Sequence, residues 1–128
     1  MVNPKGKLVI IGGAVDLGTN ISSQEHIIQP DHLKFFDRGI LKRIITESAH
    51  HEGSVVEVVT TASQIPELVG AEYVKAFGQL NVPKVGTIHI KNREDATHKS
   101  YLDRIRKADV VVFTGGDQLR LSSIFGGT

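Results

Sequence analysis

The most constraining feature of the sequence is an apolar run that stops abruptly at two glycines. Residues 110–113 read Val-Val-Val-Phe, and Gly115 and Gly116 follow after one threonine. Such a run favours a strand buried on both faces, while glycine permits a tight turn and close approach of a ligand or another chain. Asp117 stands where a helix N-cap would, before the helical pattern of residues 118–121. The segment therefore predicts backbone N–H groups at the carboxyl edge of an open sheet.

Three more apolar segments alternate with helical patterns. We predict strands at residues 7–11, 55–61 and 85–90, each followed by a helix that begins near a capping residue: Asp31, Ser63, and Asn92 or Asp95. A βαβαβαβα order is typical of a parallel sheet with helices on both faces, built from right-handed crossovers. The predicted fold class is therefore α/β, with a three-layer αβα architecture and a mostly parallel sheet. Residues 1–128 are expected to form a single α/β domain.

The helical patterns also predict the residues that face the core. In the first helix, which Gly53 ends, these are Leu33, Phe36, Ile40, Leu41, Ile44, Ile45 and Ser48. In the second helix, which has a proline in its first turn, they are Leu68, Val69, Tyr73, Ala76, Phe77 and Leu80. The third helix carries Tyr101, Leu102 and Ile105.

Composition excludes several functions. The chain is 40% hydrophobic and 23% charged, with a net charge of +1 and no cysteine. These are ordinary globular values that favour neither nucleic acid nor an acidic membrane as partner. The absence of cysteine fits a reducing compartment, so a cytoplasmic protein without a signal peptide is expected. The histidines lack metal-ligand spacing, so we predict no metal and no cofactor.

Two features point to a domain that continues past the sequence. The strand at 110–113 would lie near a sheet edge although no charge protects it, and the last helix has barely begun at Thr128. More sheet is therefore expected after Thr128. The segment 13–31 is a long predicted loop, of a length that is usually functional or mobile, and its order is left open between Val15 and Gln29.

The glycine turn at 115–116 has two interpretations. One is an oxyanion hole formed by Gly115, Gly116 and Asp117, with the Gln118 amide pointing at substrate. The other is a plain strand-to-helix connection, which spacing alone favours because such turns are common in α/β proteins. No serine lies in a Gly-x-Ser-x-Gly elbow, so the chain shows no activated nucleophile.

A second glycine turn, at Gly12 and Gly13, follows the first predicted strand. It matches neither Gly-x-Gly-x-x-Gly nor a P-loop, so an active-site wall and a simple turn are about equally supported. Asp16 in the next loop could contact a basic substrate group or be an ordinary exposed aspartate.

The stretch from Val110 to Thr128, with its core Gly-Gly-Asp-Gln-Leu-Arg and the following Ser-x-x-Gly-Gly-Thr, closely resembles the cyanophycinase family of serine peptidases, family S51. The segments 10–14 and 58–63 resemble the first two strands of the family and the loops after them. The resemblance covers the chain in order, but only about the N-terminal half of a family member.

This resemblance implies a fold similar to class I glutamine amidotransferases, which is flavodoxin-like. It also implies an exopeptidase that releases β-aspartyl-arginine dipeptides from cyanophycin, an aspartate polymer carrying arginine on its side chains. The family's serine lies in a Gly-Thr-Ser-Ala-Gly elbow, with histidine and glutamate later in the chain, so the triad is expected beyond Thr128. The resemblance further implies Gly115, Gly116 and Asp117 as oxyanion-hole elements and Gln118 as a substrate contact.

Other functions remain open at this stage. The protein could be a related dipeptidase acting on aspartyl or isoaspartyl peptides, or a flavodoxin-like module that binds phosphate or a nucleotide at one of its glycine turns. It could also be a non-catalytic remnant. A homodimer is possible. On each enzymatic interpretation, the isolated chain is predicted to be inactive.

Overall fold

Three parallel strands form the sheet of the computed structural model, which describes residues 5–11 and 39–128. They are β1 (Val56–Val59), β2 (Val85–Ile88) and β3 (Val110–Phe113). The order across the sheet is β2-β1-β3, so β1 is central and pairs with both neighbours. Parallel neighbours require crossover connections, and helices between the strands supply them.

Five α-helices accompany the described strands. They are α1 (Ile40–Glu47), α2 (Pro66–Gln79), α3 (Arg93–Ala96), α4 (Lys99–Lys107) and α5 (Gln118–Phe125), with a short 3-10 turn at His51–Gly53. The single helix predicted after Asn92 or Asp95 is two helices, and Asn92 caps only the short α3, where its side chain accepts a hydrogen bond from the Asp95 N–H at 2.9 Å. His98 caps α4 in place of Asp95, accepting a hydrogen bond from the Ser100 N–H.

The core is divided between the two faces of the sheet, because successive strand residues point to opposite sides. Val56 and Val58 of β1 pack with α1 and α2, in a cluster that also contains Leu41, Ile45, Tyr73, Ala76, Phe77, Leu80 and Val82. Val59 faces the other way and packs with Ile88, Ile90, Ala96 and Ile124, with Tyr101, Ile105, Val111 and Phe125 around them. Helices on both faces of a parallel sheet confirm the predicted three-layer α/β fold.

The first predicted strand is wrong within the described residues. The segment 7–11 makes no strand pairing with β1, β2 or β3, and Leu8 and Ile10 are each 87% exposed. Lys7 instead pairs with the carboxylate of Glu47, at the end of α1. An apolar run needs both a hydrogen-bonding neighbour and a covered face to be a strand, and only the apolar run can be read from sequence.

Several boundaries and burial assignments also differ from prediction. Ser63 does not cap α2, which begins at Pro66 after Ile65; its hydroxyl accepts a hydrogen bond from the Ile65 N–H at 3.1 Å, in the turn before the helix. Ile40 and Leu68 are exposed, because each lies at a helix start and projects away from the sheet-facing stripe. The predicted core positions Leu33 and Phe36, and the cap Asp31, lie outside the described residues.

Strand β3 also differs from the sequence prediction. It is not buried on both faces: three of its residues are half-buried and Phe113 is 54% exposed. Within the described sheet β3 is an edge strand, which leaves it fewer neighbours than β1 has. The prediction of further strands beyond Thr128 stays a prediction.

Asp109 joins the start of β3 to the start of β1. Its Oδ2 accepts a hydrogen bond from the Val55 N–H at 2.8 Å, and its Oδ1 lies 2.8 Å from His50 Nδ1. The Val55 N–H bond, followed by the His50 contact, lowers the pKa of the Asp109 carboxyl. The ionised carboxylate thus helps to hold two neighbouring strands in register.

We expect the Asp109→Asn variant to change how stability depends on pH. Because folding lowers the pKa of Asp109, its contribution is complete above the unfolded pKa and is lost as the pH falls through the folded value. The difference in unfolding free energy between wild type and Asp109→Asn should therefore be clear near about pH 5.5 and shrink near about pH 2.5. Urea unfolding at both pH values measures it.

The matched control is Asp103→Asn, which removes an equal charge. Asp103 lies 3.8 Å from Arg106 on the same helix, a weak exposed contact. Its effect should be small at both pH values. An Asp109→Asn difference that stays constant between the two pH values would contradict the assigned role of the carboxylate.

Candidate functional site

The carboxyl ends of the three strands meet at one edge of the sheet, where open α/β sheets bind ligands. At this edge β3 leads through Gly115 and Gly116 into α5. Asp117 caps α5, as predicted: its Oδ1 accepts hydrogen bonds from the N–H groups of Leu119 at 2.9 Å and Arg120 at 3.2 Å. The strand, turn and helix start expected from sequence are confirmed.

The turn after β3 is fastened to the turn after β1. The Asp117 N–H donates to the Ala62 carbonyl at 2.9 Å, and Arg120 Nη1 donates to the Ser63 carbonyl at 3.3 Å. Gly116 has φ +144°, and a Cβ added to it would lie 2.1 Å from Ala62 O. Only glycine therefore fits this close approach of two backbones.

This geometry changes the expected oxyanion hole. The Asp117 N–H already serves the contact with Ala62 and is not a free donor, which corrects the expectation for that residue. The N–H groups of Gly115 and Gly116 donate no hydrogen bond to any described residue, and both glycines are exposed at the sheet edge. They remain the candidate donors, and oxyanion binding by them stays a prediction.

An open cavity of about 440 Å³ lies beside this turn. It is lined by Thr61, His89, Lys91, Arg120, Ser123 and Ile124. Among the described residues, the lining combines two cationic side chains, one imidazole and two hydroxyls with a single aliphatic residue, and it includes no acid. Neither cation lies within ion-pair distance of any carboxylate in the described part of the chain. The described side chains of the lining therefore carry net positive charge.

Hydrogen bonds position several groups around the cavity. Thr61 Oγ1 accepts a hydrogen bond from the Ile90 N–H at 3.1 Å, tying the chain after β2 to the end of β1. Thr60 Oγ1 lies 3.4 Å from His89 Nδ1. Arg93 Nη1 donates to the carbonyls of Ser123 and Gly126, at 3.0 and 2.7 Å, and so anchors the last turn of α5.

Of the site residues expected from sequence, the described structure brings together one group. Gly115, Gly116, Asp117 and Gln118 are consecutive and exposed at the carboxyl edge, although Gln118 is not among the residues that line the cavity. The other expected group, Gly12, Gly13 and Asp16, lies outside the described residues. The role of every one of these residues in binding stays a prediction.

Sequence reasoning missed the cationic lining. Sequence patterns assign Lys91 and Arg120 to no site, and His89 is only one of the histidines that lack metal-ligand spacing. A signal was present, because Lys91 follows β2 at the same edge as the glycine turn and Arg120 lies in the first turn of the helix after it. Strand ends that converge on one edge would have grouped these residues.

Residues 5–11 and 39–128 contain neither a metal-binding cluster nor a membrane-spanning helix. Among them, no three His, Cys, Asp or Glu side chains are grouped closely enough to hold a metal ion. No helix in the same residues has both the length and the apolar character needed to cross a membrane.

Comparison with known proteins supports the resemblance stated above. No protein-family model matches the chain. Among curated proteins, a cyanophycinase of Geminocystis herdmanii is 24% identical over 124 residues, which are 97% of this chain and 39% of the relative. A cyanophycinase of Trichormus variabilis is 25% identical over 97% of this chain and 36% of its own length. One from Synechococcus elongatus is 30% identical over 90 residues, 68% of this chain and 28% of its own length.

The matches cover nearly all of this chain but less than half of each relative. The chain spans about two fifths of the length of the first curated relatives that it matches, or somewhat less. The matches at 97% of this chain include the glycine turn, the cavity lining and the whole described sheet. The chain is thus similar, over nearly its entire length, to the cyanophycinases.

Proposed function

We propose that this chain forms part of the active site of a cyanophycinase-like serine exopeptidase, which hydrolyses cyanophycin to β-aspartyl-arginine dipeptides. The observation that carries the proposal is the similarity to curated cyanophycinases across the glycine turn and the cavity beside it. The chain contains no serine elbow, so the serine nucleophile, histidine and glutamate belong to a segment outside these 128 residues.

In the proposed reaction the serine outside these 128 residues attacks the carbonyl carbon of a backbone peptide bond of the polyaspartate chain, while the histidine takes the serine proton. The β-aspartyl bond to arginine stays intact, as release of β-aspartyl-arginine requires. Negative charge then develops on the carbonyl oxygen. The N–H groups of Gly115 and Gly116 are the donors proposed for this oxygen, since they donate to no described residue. One such donor typically lowers the barrier by about 3 kcal/mol.

The contact between Gly116 and Ala62 supports this role, because it holds the turn in one conformation. An oxyanion hole is effective when its donors are fixed before charge develops. Here the Asp117 N–H and the Arg120 guanidinium donate hydrogen bonds to carbonyls in the turn after the central strand, and so hold the glycine turn in place. The amide of Asp117 thus holds the turn in place, and the two preceding amides donate to no described residue.

A dipeptidase acting on aspartyl or isoaspartyl peptides is the second candidate. The cavity volume of about 440 Å³ is the observation that keeps it open, because pockets of that size hold a dipeptide as readily as the end of a polymer. Rates on cyanophycin and on free β-aspartyl dipeptides separate the two functions. The proposal expects the polymer to be preferred by the complete protein.

The absence of a triad gives a direct test with the chain alone. Purified chain incubated with cyanophycin should release no β-aspartyl-arginine above the rate without protein, because it supplies donors and a pocket but no nucleophile. Liquid chromatography of the soluble products measures release. Hydrolysis by these 128 residues would show that the nucleophile has been wrongly placed.

The gene provides the complementary observation. Its sequence after the codon for Thr128 should encode a Gly-x-Ser-x-Gly elbow, followed by a histidine and a glutamate. The product of that complete gene should release the dipeptide, and replacing the elbow serine by alanine should abolish release. A gene that ends at Thr128 would contradict the proposed peptidase.

A further inference from the structure

The cavity beside the glycine turn carries an inference about which part of a substrate it binds. Its two cations, Lys91 and Arg120, come from different elements, one after β2 and one in α5. No acidic residue is among the described residues that line it, and neither cation pairs with a described carboxylate. What distinguishes these two cations is that separate elements bring them to the same cavity, at the edge of the sheet where the glycine turn lies.

We propose that Lys91 and Arg120 bind a substrate carboxylate, specifically the free α-carboxylate of the arginine in a β-aspartyl-arginine unit. Arginine in such a unit is joined through its α-amino group, which leaves its own carboxylate free. The identity of this ligand rests on the proposed function, whereas the carboxylate chemistry rests on the cavity itself.

The hydrogen bonds around Arg120 suit this role. One guanidinium nitrogen donates to the Ser63 carbonyl at 3.3 Å, which orients the planar group next to the fastened turn. The remaining N–H donors of a guanidinium match the two oxygens of a carboxylate. Lys91 adds a second charge, and the Thr61 and Ser123 side chains provide hydroxyl groups in the same lining.

The position of the cavity is consistent with a substrate that extends from it to the glycine turn. Arg120 lines the cavity and also lies in the first turn of the helix that Asp117 caps. A carboxylate bound by Arg120 would therefore lie near Gly115 and Gly116, because Arg120 is only four positions after Gly116. Binding at the cavity would fix the arginine end of the β-aspartyl-arginine unit while the carbonyl of the backbone peptide bond to be cleaved faces the turn.

Binding to the chain tests the inference without requiring catalysis. Isothermal titration with β-aspartyl-arginine is compared with titration by the same dipeptide carrying an arginine carboxamide. We expect the carboxamide to bind about tenfold more weakly or worse, because a charge-assisted contact is lost. Lys91→Gln and Arg120→Lys should each lower the affinity for the dipeptide with a free carboxylate by a similar factor. Each should also reduce the difference in affinity between this dipeptide and its carboxamide.

The control variant is Lys107→Gln, which removes the same charge from the exposed end of α4, away from the cavity lining. Its affinity for the dipeptide should equal that of wild type. Circular dichroism checks that every variant has the wild-type fold. If the dipeptide binds wild type, Lys91→Gln and Arg120→Lys equally well, the carboxylate site is overturned while the proposed function stands.

Two further ligands separate the inference from the proposed function. N-acetylglycine presents a carboxylate without the β-aspartyl-arginine unit, and inorganic phosphate presents a different anion. Binding of N-acetylglycine that depends on Lys91, without binding of the dipeptide, would overturn the proposed substrate and leave the carboxylate site standing. Phosphate binding that is tighter than dipeptide binding would overturn the carboxylate site in favour of a phosphate site.

Discussion

Replacing Gly116 by alanine is expected to destabilise the chain by about 3 kcal/mol, the sum of a backbone clash and an unfavourable φ. The new Cβ would lie 2.1 Å from the Ala62 oxygen and 2.5 Å from its carbonyl carbon, and the backbone of the central strand's turn cannot swing aside like a flexible side chain. The φ of +144° is itself rarely adopted by any residue with a side chain. Urea unfolding followed by circular dichroism measures the loss.

Gly115→Ala is the matched control, one residue earlier in the same turn. A Cβ at Gly115 meets no atom within 4 Å, and its φ is not in the left-handed region. We therefore expect a change within about 0.5 kcal/mol. Equal destabilisation by the two variants would show that the turn is sensitive to any side chain, and the specific contact with Ala62 would then be rejected.

Amide hydrogen exchange at Gly115, Gly116 and Asp117 tests which N–H groups of the turn are free to bind an oxyanion. In the wild type the Asp117 amide is bonded to Ala62, so it should exchange slowly, whereas the exposed amides of Gly115 and Gly116 should exchange fast. Gly116→Ala should accelerate exchange at Asp117, because the fastening contact is forced apart. Slow exchange at all three amides in the wild type would contradict the assignment of Gly115 and Gly116 as free donors.

The elements predicted well from sequence are those with strong local signals. The strand at 110–113, the glycine turn and the Asp117 cap are specified by adjacent residues, so their structure needs no distant information. The sheet was likewise predictable, because alternating strand and helix patterns leave few topologies other than a parallel three-layer fold.

The features missed from sequence depend on contacts between distant residues. Nothing near Leu8 or Ile10 in the sequence indicates whether a neighbouring strand is available, so the apolar run predicts a strand that the structure does not contain. The state of the Asp117 amide likewise depends on Ala62, 55 positions away by the two residue numbers. The cationic cavity joins residues from three separate segments, and only the fold brings them to one edge.

A buried ion pair in the sheet is the second place where a single substitution should have a large effect. Glu57 lies in the central strand with its side chain only 8% exposed, and Arg104 reaches it from α4. Their atoms form a two-point contact, with Nε donating to Oε1 at 3.1 Å and Nη2 to Oε2 at 2.6 Å. Nη2 also donates to the Thr87 carbonyl at 3.0 Å.

The neighbouring strand is adapted to this pair. Gly86 is the β2 partner of Glu57 in the sheet register, and a Cβ on Gly86 would lie 2.6 Å from both Glu57 Oε2 and Arg104 Nη2. Glycine is unfavourable within a strand because it provides no side chain to pack. Glycine at position 86 leaves room for the Arg104 guanidinium. The ion pair between Glu57 and Arg104 therefore depends on the absence of a side chain at Gly86.

We expect Arg104→Met to cost about 2–3 kcal/mol in unfolding free energy, because it leaves a carboxylate buried without its partner. The lower part of the usual range applies, since the Arg104 side chain is 39% exposed and water can partly replace it. Arg106→Met, on the same helix but 74% exposed, should change stability by no more than about 0.5 kcal/mol.

The double variant Glu57→Gln with Arg104→Met separates two contributions to the unfolding free energy. One is the lost ion-pair attraction, and the other is the penalty for burying the Glu57 carboxylate without a partner. If the unpaired carboxylate is the main penalty, the double variant should be more stable than Arg104→Met alone, although it lacks both ionised groups. Urea unfolding of wild type, both single variants and the double variant completes the cycle. Additive effects would show that Glu57 and Arg104 are not coupled, and the close approach at Gly86 would then need another cause.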